Sequence, residues 1–194
     1  MPNHRLSWCP CLVVTLLVLP WSGEASARED SAYQQTVERV LKLLPKRPIR
    51  VVVVDSNQAS VDVRKALRRI DAFITKGGRV VYLTSHSEIL QGALKEWALH
   101  EHILATIIWH EMAHIDGADE EEAQRREEAL LTGYIIAQQV DQVEGMRYLA
   151  TLRSRRGRDG KLAQENVEET MTARLLEHPI AVIECITPFG KPCS

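Results

Sequence analysis

No internal repeat and no low-complexity segment occurs in the 194 residues, which excludes solenoid arrays and linker-like chains and leaves ordinary globular patterning to read. Charge of one sign is not in excess either: 24 Lys and Arg stand against 26 Asp and Glu, a net charge of -2. Neither nucleic acid nor an anionic membrane surface is therefore expected as a partner. A membrane-spanning run is also missing, because the apolar stretch Leu12 to Leu19 falls short of the roughly 20 residues a helix needs to cross a bilayer. Cysteine is scarce, with only four in the chain.

The short apolar stretch has a different reading. His4 and Arg5 give it a basic start and Ala25-Ser26-Ala27 a small-x-small cleavage site, so residues 1–27 read as a secretory signal peptide, with an uncleaved anchor as the alternative. The protein is expected to be exported, to the periplasm or the medium. Cleavage removes one base, Arg5, and one acid, Glu24, so residues 28–194 keep the charge balance and suffice for one domain with a core. Cys9 and Cys11 leave with the signal. Cys185 and Cys193 remain, and in an oxidising compartment they read as a disulfide that pins the C-terminal tail, with two free thiols as the alternative.

The densest chemistry lies in Trp109-His110-Glu111-Met112-Ala113-His114-Ile115-Asp116-Gly117-Ala118-Asp119-Glu120. It contains His-Glu-x-x-His, and on a helix positions i and i+4 share a face, so both imidazoles can reach one metal ion with Glu111 beside them. Chance alone would place this bare pattern in about one such chain in forty, so its surroundings matter. Glu101 to Ile115 has no Gly or Pro, is rich in Leu, Ile and Ala, and stops at Gly117, which suits a helix C-cap. A catalytic zinc site takes three protein ligands and leaves the fourth position to water. Zinc lowers the pKa of that water from about 15.7 toward about 7, and Glu111 is placed to take its proton. Glu120, Glu121, Glu122, Glu127 and Glu128 follow closely; one completes the site and most of the others are solvated. His86, His100 and His102 read as surface residues, since helix positions two apart face different directions.

Helical spacing of Val37, Val40, Leu41 and Leu44 predicts a helix from Ser31 to Leu44. Ile49 to Val54, with four consecutive valines, predicts a strand covered on both faces. A helix over about Val63 to Ile70 and a hairpin across Lys76-Gly77-Gly78 into Arg79 to Leu83 should follow. Ser85 or Ser87 caps the next helix, which can break near Gly92 and then continues into the histidine motif. Asp119 with Glu122 makes a capping box for another helix, expected to break at Gly145 and end near Arg153. Ser154 to Lys161 is a basic loop, Leu162 to Leu176 a last helix, and Pro179 opens an extended tail.

Asp71-Ala72-Phe73, Gly77-Gly78, Val81-Tyr82-Leu83, His110-Glu111-Met112-Ala113-His114 and Glu120-Glu121-Glu122-Ala123-Gln124 stand in the order of a known pattern. Over roughly residues 49–135 the chain resembles the gluzincin zinc metallopeptidases, in particular the HtpX-type peptidases and the minigluzincins. The resemblance implies an α+β, zincin-like domain with a small β-sheet packed on the His-Glu-x-x-His helix and further helices. It implies zinc on His110, His114 and Glu120, with Glu111 as general acid and base, and Glu121 and Glu127 held in reserve for the third ligand. Gln124 stands where the family has an acid that orients a ligand histidine. Arg79 to Thr84 would be the edge strand that aligns substrate, and His178, Tyr134 and Tyr148 are the candidates for stabilising the transition state. The gap between His114 and Glu120 is shorter than the family shows and also fits a metzincin-like frame, with Glu120 in place of the last histidine.

The expected function is hydrolysis of peptide bonds in a peptide or protein substrate by an exported enzyme with one zinc ion. The alternatives are a catalytically inactive exported zinc-binding or protein-interaction module of the same fold, and a zinc hydrolase acting on another bond.

Overall fold

The four valines Val51 to Val54 are all buried and lie on the strand β1 (Arg50–Val54), which has partners along both edges. β-branched side chains pack well on a pleated surface, so a run of them with no polar alternation suits a strand covered on both faces. In the computed structural model, residues 23–55, 61–68, 70–75, 77–156 and 182–186 are described. Around β1 the described elements are α1 (Gly23–Leu41), α2 (Val61–Leu67), β2 (Ala72–Ile74), β3 (Val80–Thr84), α3 (Glu88–Leu94), α4 (Ala98–Ile115), α5 (Glu120–Ile136), α6 (Gln142–Arg156) and β4 (Val182–Ile186). The protein is thus of mixed α and β structure.

The sheet order is β2-β3-β1-β4. β1 runs parallel to β3, with Val52 opposite Tyr82, and antiparallel to β4, with Val52 opposite Cys185. β2 and β3 form the expected hairpin, in which Phe73 faces Tyr82 and their rings stack 5.0 Å apart. β3 therefore has neighbours on both sides, which corrects the expectation that Arg79 to Thr84 is an edge strand. Among the described residues the edge on that side of the sheet is β2, which packs against α4.

Helices cover the sheet. Tyr33, Val37 and Val40 of α1, Leu90 and Ala93 of α3, and Ile103, Leu104, Ala105, Ile107 and Ile108 of α4 join Val51 and Val53 in one core. Ser87 caps α3 by accepting from the Leu90 N–H, and its hydroxyl donates to Asp71. The break between α3 and α4 falls at Lys95 to Trp97, where Glu96 takes a positive φ of 59°. Gly92 lies just ahead of it and is buried because the His100 ring passes over it; a Cβ there would stand 2.3 Å from the ring.

Asp119 caps α5 through the Glu122 N–H, as its position before the helix predicts. The break expected at Gly145 lies instead at residues 137–141, with Gln138 at φ 56°. Gly145 is inside α6, where its missing side chain lets α6 meet Ile135 and Val140. His102 is also corrected: it is buried, bonded through Nδ1 to the Ala98 carbonyl, and set edge-on to Tyr134. The expected helix over 162–176, the basic loop from Gly157 onward, His178 and Cys193 lie outside the described residues, as do residues 1–22.

Candidate metal centre

Helix α4 carries His110 and His114 one turn apart, and the chain then reverses to bring the first residue of α5 against them. Gly117 makes the reversal, at φ 88°, a conformation without strain only for glycine. The Gly117 N–H bonds to the His114 carbonyl and the Ala118 N–H to the Ala113 carbonyl, the two bonds of a Schellman motif. This turn also aims the Ala118 carbonyl at the His114 ring, 3.0 Å from Nδ1. The short link between His114 and Glu120 is long enough because it is a tight helix-to-helix turn.

Three atoms converge at this corner. His110 Nε2 and His114 Nε2 are 3.1 Å apart, and Glu120 Oε2 lies 3.5 Å from the first and 3.2 Å from the second. The other ring nitrogens are occupied: His110 Nδ1 meets Glu127 Oε2 at 3.0 Å and His114 Nδ1 meets the Ala118 carbonyl. Both of those partners are acceptors, so in each neutral ring the hydrogen sits on Nδ1 and the Nε2 lone pair points inward. Glu120 Oε1 accepts from Gln124 Nε2, while Glu120 Oε2 receives no well-directed hydrogen bond. With both rings neutral, three lone pairs would face and repel one another across the corner unless a proton or a metal ion lay between them.

A cation resolves this repulsion. Tetrahedral bonds of 2.0 to 2.2 Å separate neighbouring ligand atoms by about 3.3 to 3.6 Å, and the observed separations of 3.1, 3.2 and 3.5 Å lie close to that span. His110, His114 and Glu120 can therefore hold a metal ion together. The electrostatics agree. Burial alone would push the His110 imidazole down, but the Glu120 and Glu127 carboxylates outweigh it and raise it to about 10. Burial acts to lower His114 too, and Glu120 again reverses the sign. Glu120 would rise on burial but is held at about 2 by the two histidines. With Glu111 also nearly fully buried, three carboxylates surround two imidazoles, and the site favours positive charge.

The sequence-predicted residues divide cleanly. His110, His114 and Glu120 come together, and the buried Glu111 is near enough for its charge to raise both histidines; Glu121 points into solvent with its side chain 72% exposed. Glu127 lies outside the group of three: it meets the far nitrogen of His110, the task the resemblance assigns to the position of Gln124. Gln124 instead braces Glu120. The signal for this was present, since Glu120, Gln124 and Glu127 fall at i, i+4 and i+7, on one face of α5. Tyr134 donates its hydroxyl to the Leu43 carbonyl, and burial pushes it up to about 12, so it is a structural residue. Tyr148 packs against the core.

The end of α4 is tied down from outside. Arg47 pairs with Asp116 and lies over Trp109, its guanidinium 5.5 Å from the ring centre, and Arg126 approaches Asp116 from α5. These contacts flank the two histidines on the same helix. No protein-family model, no curated protein and no solved structure matches the chain.

Proposed function

We propose that the chain is an exported zinc-dependent metallopeptidase with a zincin-like domain, and that His110, His114 and Glu120 hold its zinc. One observation supports this above the others: two imidazole Nε2 atoms and a carboxylate oxygen, all within 4.8 Å of one another, converge next to a buried Glu111. Two nitrogens and one oxygen from three side chains are a donor set typical of catalytic zinc, with a coordination position left over. Bound there, zinc would supply Lewis acidity, polarising a carbonyl and making a nearby water more acidic.

The chain's own residues supply the rest. Glu111, one position after a ligand and 3% exposed, takes the proton of the attacking water and returns it to the departing amine. Burial suits that task, because a carboxylate screened from bulk water keeps its proton exchange directed at the substrate. Glu127 and the Ala118 carbonyl fix the tautomer of each histidine, and Gln124 fixes the rotamer of Glu120. β2, at the sheet edge beside α4, can pair with an extended peptide as an added strand, which favours substrates with little sequence dependence.

The test compares three proteins on unstructured peptide substrates. Wild type should carry about one zinc per chain and cleave. Glu111→Gln should keep the zinc and lose at least about a hundredfold in turnover, since it removes the general base. Glu120→Ala should lose both. Retained zinc without cleavage in the wild type would point to a silent binding module, and a wild type that takes up no zinc would sink the proposal.

A further inference from the structure

A second concavity lies away from the metal site, between the end of α1, the segment that leads into β1, and α4. It measures about 660 Å³, within the range of small-molecule sites. Its apolar lining includes Leu41, Leu44, Ile49 and Met112, of which the last three are buried. Met112 stands two positions from each histidine, which places it on the opposite side of α4 from the metal ligands.

The polar lining is one-sided. Lys42, Lys46 and Arg47 border the groove against a single acid, Glu38, whose carboxylate already accepts from Gln34. Arg47 is engaged by Asp116 and Trp109. Lys42 and Lys46 are exposed and have no ion-pair partner among the described residues. Two free ammonium groups beside an enclosed apolar floor complement a ligand with one anionic end and one hydrocarbon end. The flexible thioether of Met112 suits a floor that must fit alkyl chains of varied shape.

We propose that this groove binds a single-chain fatty carboxylate, its alkyl chain over Leu44, Ile49 and Met112 and its carboxylate between Lys42 and Lys46. A whole membrane surface is a poorer fit. Docking on lipid would need large apolar side chains exposed beside the lysines, whereas Val61, Trp97, Ile136, Val143 and Met146, the exposed ones among the described residues, do not line the groove.

The experiment is calorimetric titration of the full chain with laurate, below the concentration at which laurate forms micelles. Saturable binding of about one laurate per chain is expected. Lys42→Glu combined with Lys46→Glu should weaken it by about tenfold or more, because both sites are on the surface and the change reverses the local charge. Glu120→Ala should bind laurate as the wild type does, which separates the groove from any metal-held carboxylate. The proposal is overturned by any of four results: no saturable binding, equal binding of dodecyltrimethylammonium, loss of binding in Glu120→Ala, or binding to anionic phospholipid vesicles without binding of monomeric laurate.

Discussion

If His110, His114 and Glu120 hold zinc as proposed, the side chains behind them set how tightly they would hold it. Glu127 is buried and its Oε2 lies 3.0 Å from His110 Nδ1, so Glu127→Ala removes the group that fixes both the tautomer and the ring angle. Metal affinity should fall by about 10- to 100-fold while Glu111 stays in place, measured by competition with a chromophoric chelator. Unchanged affinity would mean that His110 is positioned by packing alone. The convergence of His110 and His114 is legible in the sequence, because i and i+4 spacing on a Gly- and Pro-free helix leaves little freedom. The identity of the supporting acid is less so: five glutamates follow the motif, and only the rotational phase of α5 separates Glu127, which faces α4, from Glu121, which faces water. His102 was hidden for a related reason. Its position relative to His100 says that the two diverge, yet nothing local says which of them meets the core.

Element boundaries depend on close approach between helices, and that is where local reading ended. Caps were readable: Ser87 and Asp119 accept from the N–H groups three residues on, as short polar side chains before a helix do. Breaks were not. Gly145 resembles an interruption, but it continues α6 because its bare Cα fits against Ile135, while the true break rests on Gln138 in a left-handed conformation. The same physics gives two predictions. Gly92→Ala places a methyl group against the His100 ring and should destabilise the protein by about 1 to 3 kcal/mol, read from urea midpoints. Gly117→Ala meets open space and is strained only through its backbone, about 1 kcal/mol or more. Because that turn aims the Ala118 carbonyl at His114, the second variant should lose metal affinity as well, and the first should not. Equal metal affinity in the two would disconnect the turn from the site.

Over the whole molecule, α4 joins the sheet to the outer helices, and His110, His114 and Glu120 clamp α4 to α5. A ligand that binds only the folded state stabilises it by mass action, about 2.7 kcal/mol when its concentration is 100 times its dissociation constant. For a chain of this size that corresponds to a rise of roughly 5 to 10 °C in Tm. Zinc at that excess should therefore raise the melting temperature of the wild type, whereas Glu120→Ala, lacking one ligand, should show little change. The general α and β content was readable from the valine run and the helical spacing. The strand order was not, since the placement of β3 between β2 and β1 depends on pairings between distant segments.

The pairing of β1 with β4 also has a temporal meaning. β1 is made well before its partner, and its second edge must wait for Val182–Ile186, which also packs against α1. Contacts between distant segments are slow to form, so a nascent chain would keep a row of β1 backbone groups unsatisfied until Val182–Ile186 had been made. The sheet thus closes only after the helices α2 to α6, which lie between its two partners in the chain, have all been made.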